Sequence, residues 1–96
     1  MDAAQLLKEK RREILAVAAR NGAFNVRVFG SVARGEATKA SDIDLLVDLE
    51  PGRSLLDIAG LLIDLEKLLG QKVDVVTTKG LKQSIKNDVL SEAIAL

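Results

Sequence analysis

From Ser41 to Leu49 the chain alternates with a period of two. Ile43, Leu45, Val47 and Leu49 fall on one side, and Asp42, Asp44, Leu46 and Asp48 on the other. Successive side chains of a strand point to opposite faces, so this pattern predicts a strand with one apolar and one acid-bearing face. A chain built around it needs an apolar layer against the first face. The second face is left open and polar.

The rest of the sequence supplies that layer. Asp2 can cap a first helix running to about Arg20, with Leu7, Ile14 and Ala18 on one stripe, and Asn21-Gly22 stops it. Phe24 to Phe29 reads as a strand, with Val26 and Val28 opposed to Arg27, and Ser31 to Arg34 as one helical turn. After the break at Glu50-Pro51-Gly52, Ser54 and Asp57 form a capping box ahead of a helix that carries Ile58, Leu62, Leu65 and Leu69 and closes at Gly70. Lys72 to Thr77 is a further strand, and Leu81, Ile85 and Val89 suggest a terminal helix whose stripe either joins the core or docks a partner. The order predicts a single α/β domain over residues 1–96, with helices packed on one face of a small sheet.

Composition removes several function classes. The 96 residues hold no cysteine and no histidine, which excludes disulfides, thiolate metal sites and histidine-based catalysis. The absence of cysteine fits a cytoplasmic protein. Fourteen basic residues balance fourteen acidic ones, and Phe24 and Phe29 are the sole aromatics. A chain without basic excess or stacking platforms is not expected to bind nucleic acid by itself. No apolar run reaches the roughly 20 residues of a membrane span, so no membrane association is expected.

Chemistry is therefore left to carboxylates, hydroxyls, Lys and Arg. Asp42 and Asp44 at i, i+2 on a strand point the same way, with α-carbons on the order of 6–7 Å apart. Two hard oxygen ligands on one open face suit Mg²⁺, as one ion or as a pair about 3.5–4 Å apart. If Val73 and Val75 join the apolar face, Asp74 emerges beside them as a third carboxylate. Each acid alone is equally explained as a solvated surface group, and Asp48 is read that way. Gly30-Ser31, where a strand meets a helical turn, lets backbone amides and a hydroxyl approach an anion. Arg34 and Lys39 are placed to neutralise phosphate charge, and Ser41 to brace the start of the strand.

Taken together, Gly30-Ser31, ten intervening residues and Asp42-Ile43-Asp44 resemble the signature of the DNA polymerase β-like nucleotidyltransferase superfamily. The stretch Gly30-Ser31-Val32-Ala33-Arg34-Gly35-Glu36, continuing to Ser41-Asp42-Ile43-Asp44-Leu45-Leu46-Val47, resembles its minimal nucleotidyltransferase (MNT) branch. The resemblance implies a polymerase β-like palm with a small mixed sheet. It also implies nucleotide binding by Gly30, Ser31, Arg34 and Ser41. Asp42, Asp44 and Asp74 would be the catalytic and metal-binding acids, with Mg²⁺ as cofactor and ATP as donor.

Larger relatives carry extra regions that grip an acceptor, whereas the catalytic core is expected to fill this chain. The acceptor is then expected to be a partner protein. MNT proteins are commonly paired with HEPN-type RNase toxins, so the resemblance implies an antitoxin of a toxin–antitoxin system that modifies its toxin within a hetero-oligomer. Three alternatives remain at this point. The chain could mask a toxin without catalysis, transfer a nucleotide to a small molecule such as an aminoglycoside, or be an α/β domain whose acids are only surface.

Overall fold

In the computed structural model, which describes residues 2–38 and 40–96, the apolar face of the central strand lies at the middle of a four-stranded sheet. The elements are α1 (Ala3–Glu9), α2 (Arg11–Arg20), β1 (Ala23–Phe29), α3 (Gly30–Ala33), β2 (Ile43–Leu49), α4 (Leu55–Leu69), β3 (Val73–Thr77), α5 (Gln83–Glu92) and β4 (Ile94–Ala95). The spatial order is β3-β2-β1-β4. β1 runs antiparallel to β2 and to β4, and β2 parallel to β3, so the sheet is mixed.

Ile43, Leu45 and Val47 of β2 are fully buried with Val26 and Val28 of β1 and Val73 of β3. Ile14, Val17 and Ala18 of α2 and Leu61, Leu65 and Leu69 of α4 close over them. The polar face of β2 carries one apolar residue, Leu46, which is also fully buried and lies between Arg27 and Val76 on the neighbouring strands.

Local sequence chemistry explains most element ends. The Ser54 N–H donates to the Asp57 carboxylate at 2.9 Å, and the Ser54 hydroxyl accepts from the Leu56 N–H at 3.2 Å, as the capping box requires. Gly70, at φ 65°, ends α4 in the left-handed conformation.

Four features depart from the sequence reading. The first helix is two helices meeting at Lys10, within the charged run Lys8–Glu13, which offers no apolar side chain to dock and hold a straight axis. β1 contains a bulge between Phe24 and Arg27, with Asn25 at φ 51°. The extra residue lets Ala23 face the core together with Val26 and Val28, which strict alternation forbids, and turns Phe24 outward. A fourth strand, β4, pairs Ile94 and Ala95 with Val28 and Arg27. Finally, the stripe Leu81, Ile85, Val89 is not a core stripe. Leu81 precedes α5, Ile85 is 46% exposed, and Val89 is buried outside the main cluster.

Candidate active site

β2 positions the acids. Asp44 stands opposite Phe29 of β1 on one side and Asp74 of β3 on the other, in a parallel register that aligns Ile43 with Val73. Neighbours in register share a face, so with Ile43 and Val73 in the core, Asp44 and Asp74 emerge together on the open side. Asp42 lies just before β2, half-buried. Burial pushes the Asp44 carboxyl above the usual carboxylate range, and the charges of Asp74 and Asp42 push it the same way, while Arg34 opposes them. Asp42 and Asp74 thus both act on Asp44.

β1 runs directly into α3 at Gly30, which adopts φ 73°. That φ favours glycine, and a Cβ there would overlap the Asp44 carboxylate unless the carboxylate shifted. Ser31 is half-buried, and its hydroxyl makes no hydrogen bond among the described residues. One turn later Arg34 donates from Nε to Glu36 at 2.7 Å and from Nη1 to Glu92 at 2.9 Å. The same Glu92 carboxylate accepts from the Gly30 N–H at 3.3 Å.

The other residues singled out in the sequence make the following contacts. The Ser41 hydroxyl accepts from the Thr38 N–H at 2.9 Å and lies 3.3 Å from the Thr38 hydroxyl, so it braces the loop ahead of β2. Lys39 lies outside the described residues. Asp48 is not merely solvated: Thr78 donates to it at 2.6 Å, Asn25 at 2.9 Å and Arg27 at 3.3 Å. Burial works against its charge, but these donors prevail and hold its carboxyl below the ordinary range. It lines a cleft of about 520 Å³ with Phe24, Arg53 and Thr78, away from Asp42 and Asp44.

The sequence pattern of the nucleotidyltransferase domain family matches residues 10–96, which include every element that builds this face. The chain belongs to that family. A protein adenylyltransferase, MntA, of Thermococcus cleftensis is 47% identical over 75 residues, 78% of this chain and 76% of its own length. A candidate protein adenylyltransferase of Methanocaldococcus jannaschii, MJ0435, is 39% identical over 88 residues, 92% of this chain and 95% of its own. A solved structure of a candidate minimal nucleotidyltransferase superposes with a TM-score of 0.89 at 53% identity, covering 100% of this chain and 97% of the other.

In this nucleotidyltransferase the donor set fits a hard divalent cation. The acids supply only oxygen ligands, and a cation would favour the charged form of Asp44 against the burial, and then the Asp74 and Asp42 charges, that raise its carboxyl. Among the described residues no group of three acids is placed closely enough to hold a metal ion by itself. Glu92 is the site residue that sequence reasoning missed. It contacts Gly30 from 62 positions away, and neither spacing nor periodicity links the two.

Proposed function

We propose that the chain transfers AMP from ATP to a hydroxyl of a partner protein in a Mg²⁺-dependent reaction. The observation that carries this is the shared face of Asp44 and Asp74, with Asp42 beside them, next to the backbone turn at Gly30-Ser31. Family membership supplies nucleotidyl transfer. The relatives named protein adenylyltransferases support a protein acceptor and an adenylyl group.

The parts of the site divide the work. The Gly30 amide, the Ser31 hydroxyl and the Arg34 guanidinium receive phosphate oxygens of the donor. Asp42 and Asp44 hold the divalent cation, which would supply charge neutralisation and Lewis acidity at the reacting phosphoryl group. Asp74, more exposed than Asp44, is positioned to accept the proton of an incoming hydroxyl. The bond formed joins the acceptor oxygen to the α-phosphorus. The bond broken releases pyrophosphate, which leaves with the electron pair.

The partner proposed is a HEPN-type RNase toxin, with transfer silencing it in an antitoxin role. Incubating the chain with labelled ATP, Mg²⁺ and that partner should label the partner, and chelation or Asp44→Asn should reduce labelling at least about a hundredfold, as for loss of a group that stabilises developing charge. Full neutralisation of the partner by Asp44→Asn, with no label on it under any condition, would replace catalysis by masking.

A further inference from the structure

Two of the three donors assigned to donor phosphate are already engaged from within. One oxygen of Glu92 accepts from the Gly30 N–H and the other from Arg34 Nη1. A carboxylate bridging a backbone amide and a guanidinium occupies the donors that two phosphate oxygens would use. Gly30 opens a single turn of helix whose preceding residue, Phe29, offers no side-chain cap, and Glu92 takes the place of that cap at its amide. Glu92 also adds negative charge close to Asp44, which disfavours an incoming polyphosphate further.

The placement of Glu92 follows from the C-terminal arm. It is the last residue of α5, and β4 follows immediately, pairing Ile94 and Ala95 with β1. The Leu96 N–H donates to the Val26 carbonyl at 3.0 Å, and Arg11 donates to the Leu96 carbonyl at 3.3 Å. This latch is short and exposed: both residues of β4 face solvent. Leu96, the next residue, packs partly buried against the core, so the arm stays anchored there and leaving the cradle asks only for a change of the Glu92 side chain.

Building on the nucleotide-binding reading above, we infer that Glu92 is an internal competitor of the donor phosphates: it fills the Gly30–Arg34 cradle in the free protein and leaves it when a triphosphate binds. The competition test is calorimetric titration of Mg·ATP and of inorganic tripolyphosphate into wild type, Glu92→Ala, Glu92→Gln and Glu36→Gln. Glu36 pairs with the same arginine but not with Gly30, so Glu36→Gln removes equal charge without emptying the cradle.

Glu92→Ala should bind both ligands about tenfold more tightly, the loss of one charge-assisted competitor. Glu92→Gln should gain less, and Glu36→Gln least. In ¹H–¹⁵N spectra the free Glu92→Ala protein should show a displaced Gly30 amide, and ligand should displace that amide in wild type. Wild-type binding that stays equal or weakens in Glu92→Ala overturns the inference and makes Glu92 a positioning residue for Arg34. An equal gain in Glu36→Gln overturns it in favour of bulk charge. Failure of every variant and of wild type to bind either ligand removes the nucleotide-binding reading itself, and this inference with it.

Discussion

Asp44 and Asp48 stand on the same face of β2, yet their surroundings drive their carboxyl groups in opposite directions. Asp44 is raised by burial, then by Asp74 and Asp42. Asp48 is lowered because donors from Thr78, Asn25 and Arg27 outweigh burial. A group raised in the folded state contributes stability only at low pH. That contribution is complete below its unfolded value and is lost as pH rises through its folded value. At neutral pH Asp44 is therefore a local cost of folding in the metal-free protein. Asp44→Asn should melt a few degrees higher than wild type at pH 7 in the presence of a chelator. The difference should shrink as pH falls through the raised Asp44 value. Mg²⁺ should stabilise wild type and leave Asp44→Asn unchanged, because a ligand that binds only the folded state shifts the melting point by mass action. A destabilised Asp44→Asn under chelation would refute the charge-repulsion account of this face.

At the scale of elements, α4 carries a test that leaves the site untouched. Its N-terminus is closed by Ser54 and Asp57, and the Asp57 carboxyl is held below the ordinary range first by the Ser54 N–H and then by Arg53. Ser54→Ala should cost about 0.5–2 kcal/mol in chemical denaturation, with nucleotidyl transfer unchanged. The Asp57 contribution has the opposite sign to that of Asp44: it is present above the ordinary carboxylate value and fades as pH falls through the lowered folded one. The capping box was legible because its chemistry is local, confined to residues 54–57. The face of Asp74 was legible for a related reason, since strand parity plus a valine core leaves it one direction. The bulge at Asn25, the break at Lys10 and the strand β4 were not legible, because each answers to contacts made by distant elements. β4 exists only because β1 presents a free edge to it. Glu92 belongs with these: its role follows from where α5 ends in space, which no pattern in residues 83–92 encodes.

For the molecule as a whole, charge decides what can approach the open face. The sequence balances fourteen basic against fourteen acidic residues, so no net attraction gathers polyanions from a distance. Close in, Asp42, Asp44 and Asp74 are negative, and Arg34 is already paired with Glu36 and Glu92. No helix among the described residues is long and apolar enough to cross a membrane. A polynucleotide would have to displace the Arg34 pairings and face three carboxylates without releasing enough counterions to offset them. A nucleoside triphosphate escapes this difficulty, because it arrives with a divalent cation that the carboxylates favour. Labelled single-stranded RNA should therefore show no change in anisotropy with up to about 10 µM protein at about 0.15 M salt, a concentration at which basic proteins commonly bind non-specifically. Mg·ATP should bind under the same conditions. RNA binding that weakens steeply with salt would show that a positive surface outweighs this acidic face.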